Sequence, residues 1–129
     1  MTILGIGVDI IQNRRIKNSI KKKEFIKRVF GKKEIQQSKK IKNKTNYFAK
    51  RFAAKEAFTK ALGTGFRNGI NFKDIQIINN KIGKPYYLLN KKNIGYIKKK
   101  MKIKEFDLHL SISDEKEYSI AFTLIKKNK

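Results

Sequence analysis

A chain of 129 residues with no cysteine and a formal net charge of +23 reads as one domain that folds without disulfides and has no thiolate for a metal. Most of the charge is lysine, with arginine only at 14, 15, 28, 51 and 67, so the excess reads either as attraction to a polyanion or as drift toward A/T-rich codons. The opening MTILGIGVD has no basic lead and an apolar run broken by glycines and an acid, so a signal peptide or membrane span is not expected there, and a reduced cytoplasmic life is.

Ile3 to Ile11 reads as a buried strand whose Gly5 and Gly7 permit close backbone approach. Asp9 near its end is either a cap for the next element or a ligand presented at a sheet edge. From Arg14 to Phe30 the apolar residues Ile16, Ile20, Phe25, Ile26, Val29 and Phe30 keep helical spacing, with a break near Lys21 to Lys23 and a basic opposite face. Gly31 stops that run, residues 32–41 predict a short second helix, and Asn43 to Asn46 a polar turn.

Arg51 to Gly65, RFAAKEAFTKALGTG, predicts the central helix, stopped by Gly63, Thr64 and Gly65. At 3.6 residues per turn Ala53, Ala57 and Ala61 share one side and Phe48, Phe52, Phe58 and Leu62 roughly the other, so two faces are packed. Close packing on the alanine side means that Ala57→Leu should damage folding or assembly first. Glu56 and Lys60 lie between those faces one turn apart, either as an ordinary salt bridge or as groups held for chemistry. Downstream, Asp74 to Asn79 and Pro85 to Leu89 predict a hairpin, Asn93 to Met101 a short helix, and Asp107 to Ser113 with Tyr118 to Ile125 a second hairpin. The lone His109 falls on the polar face of its strand. This order argues for α+β, an antiparallel sheet packed against a long central helix.

Asp9, Glu56 with Lys60, and His109 are the candidates for chemistry. Gly63 to Gly65 and Gly83 to Pro85 let backbone approach a ligand, and Arg51, Lys60 and Lys84 suit phosphate oxygens. Two carboxylates with neither cysteine nor a histidine cluster suit a hard cation, Mg²⁺ rather than zinc.

Four ordered blocks carry a resemblance. They are Gly5 to Ile10 (GIGVDI) with Arg15 after it, Arg51 to Ala57 (RFAAKEA) with Lys60 to Gly65 (KALGTG), Gly83 to Pro85 (GKP), and His109 to Ser113 (HLSIS). Over nearly its whole length the chain resembles the bacterial holo-acyl-carrier-protein synthases, small 4′-phosphopantetheinyl transferases. The resemblance implies Mg²⁺ on Asp9 and Glu56, with Glu56 and Lys60 catalytic. It implies a coenzyme A site lined by Lys60, Gly63, Thr64, Gly65, Lys84, Pro85 and His109, between the subunits of a homotrimer, and Arg51 is expected to join it on the phosphates.

The implied reaction is attack by a serine of apo acyl carrier protein on the β-phosphorus of coenzyme A, releasing adenosine 3′,5′-bisphosphate for fatty acid biosynthesis. The base would be Glu56 or a metal-bound water. Arg14, Arg15 and Arg28 would receive the acidic carrier protein; neither nucleic acid nor membrane is an expected partner. The competing reading is a small basic RNA- or DNA-binding protein, with steeply salt-dependent binding that survives Glu56→Gln.

Overall fold

The computed structural model describes residues 2–63 and 70–128. Its first strand, β1 (Thr2–Gln12), pairs antiparallel with the last, β5 (Tyr118–Asn128), and β5 pairs on its other side with β4 (Glu105–Asp114), giving the order β1-β5-β4. A separate antiparallel hairpin joins β2 (Ile75–Asn79) to β3 (Pro85–Leu89). The helices are α1 (Asn13–Ser19), α2 (Lys23–Val29), α3 (Lys32–Ser38), α4 (Lys44–Leu62) and α5 (Lys91–Met101), and a single 3₁₀ turn covers Phe72–Asp74.

Cap chemistry decides where elements start, and it moves two expected boundaries. The side chain of Asn43 accepts from the Asn46 amide at 3.0 Å, so the expected polar turn is the N-cap and first turn of α4. Asn90 does the same for Asn93 at 2.8 Å and starts α5 two residues early. The break expected between the first two helices is present at residues 20–22. At its far end α4 stops on Gly63, which takes φ +79° and donates its N–H to Thr59 O and Lys60 O.

Helix α4 is wedged between the three-stranded sheet and the hairpin, so it is buried nearly all round. An added Cβ on Gly7 would lie 1.9 Å from Ala57 O, and one on Gly5 would lie 2.0 Å from Ala61 O. Bare backbone on β1 is therefore what lets the alanine side of α4 approach the sheet. On β5 the side chains of Ser119, Ala121, Thr123 and Ile125 are buried on the α4 side while Ile120 and Phe122 point away. Two apolar clusters fill the rest, one around Phe30, Tyr47, Phe48 and Ile77, the other around Phe58, Leu62, Ile70, Ile75, Ile97 and Ile125. The Tyr87 hydroxyl ties the layers together, donating to Ala54 O at 2.7 Å and sharing a hydrogen bond with Thr123 Oγ1 at 2.6 Å. Among the described residues no helix is long and apolar enough to cross a membrane.

Candidate active site

Asp9 pairs with Ala121 on β5, which pairs with Ile112 on β4. Cross-strand partners share a face, so Asp9 looks toward α4 with the buried Ala121. Lys60 meets it there: its ammonium lies 3.2 Å from Asp9 Oδ1 and donates to Val8 O at 3.1 Å. The expected alternative, a Glu56–Lys60 ion pair along the helix, does not form; Lys60 reaches across to the strand instead. Among the described residues Glu56 has no ion-pair partner within contact distance.

Glu56 lies half-buried one turn before Lys60. Burial holds its carboxyl above the usual range, and the negative charge of Asp9 raises it further, while Lys60 and Arg15 pull the other way. Two carboxylates and two cations thus share one field. Arg15 enters it because α1 follows β1 without a linker, which the pattern of charges along the chain did not reveal.

The donor set fits a hard divalent cation. No group of three histidines, cysteines or acids able to hold a metal exists among the described residues. Two acids are what Mg²⁺ uses when water and substrate phosphates complete its shell. A cation between Asp9 and Glu56 would also remove the like-charge penalty that raises Glu56.

Other expected site residues are dispersed. Lys84 and Pro85 lie at the β2–β3 turn, where Gly83 takes φ +88° and Asn80 Oδ1 accepts from the Lys84 amide at 2.9 Å. Gly63 caps α4; Thr64 and Gly65 lie outside the described residues. Arg14 and Arg28 are exposed on α1 and α2. His109 pairs with Leu124, which pairs with Ile6, 54% exposed on the face turned away from α4. Within one chain His109 and Asp9 therefore sit on opposite faces of the same sheet.

Arg51 departs from its expected role on phosphates. It is 2% exposed, donates from Nε to Ile77 O at 3.1 Å, from Nη1 to Tyr47 O at 3.3 Å and from Nη2 to Asn79 Oδ1 at 3.3 Å, and stacks over the Tyr47 ring. Its guanidinium is occupied inside the protein.

One turn later stands a residue the sequence did not single out. Lys55 is fully buried, with its ammonium 2.7 Å from Glu34 Oε1, 2.8 Å from Phe72 O and 2.5 Å from Ile75 O. Each of its three protons has an acceptor, yet burial still lowers its pKa to about 8. The same burial raises Glu34, against the pull of Lys55.

A sequence model of the 4′-phosphopantetheinyl transferase superfamily matches residues 5–123. The holo-[acyl-carrier-protein] synthase of Pelagibacter ubique is 56% identical over 127 residues, covering 98% of this chain and 99% of the relative. The crystal structure of the synthase from Neisseria meningitidis superposes with a TM-score of 0.88 at 35% identity, over 98% of this chain and 100% of that one. The Bacillus anthracis synthase, solved in complex with coenzyme A (3′,5′-ADP), gives 0.82 at 34% identity, over 99% and 100%.

Proposed function

The chain belongs to the holo-acyl-carrier-protein synthases of the 4′-phosphopantetheinyl transferase superfamily. From that premise we propose that the protein transfers 4′-phosphopantetheine from coenzyme A to a serine of apo acyl carrier protein, in an Mg²⁺-dependent step that supplies fatty acid biosynthesis in the cytoplasm. The serine Oγ bonds to the β-phosphorus, the bond to the bridging oxygen breaks, and its electron pair leaves on adenosine 3′,5′-bisphosphate. The observation that carries this reading is the pairing of Asp9 and Glu56 beside Lys60 on the rigid β1–α4 contact.

Asp9 and Glu56 would hold the metal, which when bound supplies neutralising charge to the diphosphate. Lys60, at 54% side-chain exposure, is open to solvent and would be within reach of a phosphate oxygen of the substrate. In the metal-free chain burial, and then the charge of Asp9, keep Glu56 more basic than an ordinary carboxylate. The Glu56 carboxylate is the acceptor this chain would offer for the serine proton, a contribution of about 10²- to 10⁴-fold for general-base catalysis. Gly63, Thr64, Gly65, Lys84, Pro85 and His109 would line the coenzyme A site, and Arg14, Arg15 and Arg28 would receive the acidic carrier.

The active assembly in this reading is a homotrimer with sites between subunits. Two observations support it. Ile6, Val8, Ile10, Ile120 and Phe122 are between 38% and 62% exposed and share the outer face of the sheet, a grouping of apolar side chains that suits a protein contact. His109 shares that face, where only a second chain could bring it to Asp9 and Glu56; a head-to-tail contact that closes into a ring would do so three times over. The reading is tested by chromatography: adenosine 3′,5′-bisphosphate should appear only when coenzyme A and apo carrier protein are both present. Its release from coenzyme A alone would point to a hydrolase instead.

A further inference from the structure

Strand β2 has five residues and pairs on one side only, with β3. A two-stranded hairpin is marginal by itself, and its other edge carries unpaired N–H and C=O groups. Among the described residues no strand covers that edge. Ile75 O accepts from Lys55 Nζ at 2.5 Å, Ile77 N donates to Glu34 Oε2 at 3.1 Å, Ile77 O accepts from Arg51 Nε at 3.1 Å, and Asn79 N donates to Gln37 Oε1 at 3.3 Å. All four groups belong to alternate residues, the set turned away from β3. Cations meet carbonyls and oxygens meet amides, so side chains reproduce the alternation a neighbouring strand would offer.

We propose that this side-chain clamp, built from Glu34 and Gln37 of α3 and Arg51 and Lys55 of α4, positions the turn bearing Gly83, Lys84 and Pro85 relative to Glu56 and Lys60. The proposal rests on the reading that this turn lines the coenzyme A site. Its route can be followed atom by atom. Arg51 grips both Ile77 O and the side chain of Asn79, and the next residue, Asn80, accepts from the amides of Ile82 and Lys84 at 3.0 and 2.9 Å. The helix that grips the strand also carries Glu56, next in sequence to Lys55, and Lys60 one turn on.

An apolar contact would hold the hairpin as firmly and without the burial of three charged side chains, Glu34, Arg51 and Lys55. It would not read register, because a one-residue slip of β2 exchanges the alternating groups that Arg51, Lys55 and Glu34 distinguish. The clamp is therefore a positioning device. The return contacts are of the same kind: Gln76 Oε1 accepts from the amides of Lys33 and Glu34 at 3.0 and 3.4 Å, so β2 caps the helix whose side chains hold its edge.

The test uses the full-length protein with Arg51→Met and the milder, surface-exposed Asn79→Ala. Steady-state kinetics with apo carrier protein and calorimetry with adenosine 3′,5′-bisphosphate are compared with wild type. KM for coenzyme A and Kd for the bisphosphate should rise together, about tenfold for Arg51→Met and about threefold for Asn79→Ala, with kcat within about twofold. Arg51→Lys should recover part of the loss. Folded variants with unchanged KM and Kd, or with kcat lowered at unchanged KM, overturn the proposal. If Arg51→Met does not fold, Asn79→Ala decides by the same criterion. A wild-type protein that binds no coenzyme A sinks the transferase reading itself. In that case amide exchange at Ile77 and Asn79 in Glu34→Gln and Gln37→Ala still reads the clamp, faster exchange supporting it and unchanged exchange refuting it.

Discussion

Glu56 is the residue at which stability and function pull apart. Its folded pKa is raised above the reference 4.5 by burial and by Asp9. Below the unfolded pKa the group is protonated in both states and costs nothing; as pH rises through the folded pKa, the fold must ionise it against desolvation and a like charge, and stability is lost. Metal-free Glu56→Gln should therefore melt higher than wild type at pH 7, on the order of a few degrees. The gain should vanish below about pH 4, and transfer should be lost throughout. Calorimetry across that range checks it, and a variant that melts lower at pH 7 contradicts it. Asp9, Glu56 and Lys60 stand out as a set only through the family resemblance, because their spacing alone marks no site, and the Lys60–Asp9 contact is not legible at all, since an i, i+4 argument sees along a helix and not across to a strand. The burial of Arg51 and Lys55 is hidden for a different reason. In a chain so rich in lysine a cation reads as solvated, although both fall at helical spacing in line with the buried Phe48 and Leu62 and the half-buried Phe52.

Period and punctuation placed the main elements of the described fold, but not their burial: β1, expected to be buried, leaves Ile3, Ile6, Val8 and Ile10 exposed on the face away from α4, because only one face of the sheet is covered by the helix. Boundaries slipped where one asparagine caps a helix, at Asn43 and Asn90. Gly5 and Gly7 read as sites of close approach, and the structure supplies what they approach, the carbonyls of Ala61 and Ala57. That contact fixes β1 against α4 and so fixes Asp9 against Glu56. A methyl group at Gly7 would have to displace helix backbone rather than a flexible side chain. Gly7→Ala should lower unfolding stability by about 3 kcal/mol or more, and Ala57→Leu, at a site with no exposed area, by a similar amount. Urea denaturation measures both, and a wild-type midpoint for Gly7→Ala would show that the contact is not as close as described.

For the whole molecule the questions are charge and assembly. The formal charge of +23 per chain opposes association, while the outer face of the sheet offers apolar residues to favour it. What could not be read from the sequence is that His109 and the acids lie on opposite faces, because strand pairing between the two ends of the chain sets that relation. If sites form between subunits, Phe122→Asp should give a folded monomer by sedimentation and circular dichroism, with transfer reduced at least about a hundredfold; a fully active monomer would refute the intersubunit reading. Whether the protein is a transferase at all is decided by intact-mass spectrometry of apo acyl carrier protein incubated with it and coenzyme A. One phosphopantetheine should be added per carrier, dependent on Mg²⁺ and absent with Glu56→Gln, whereas no added mass under any metal condition would rule the transferase out.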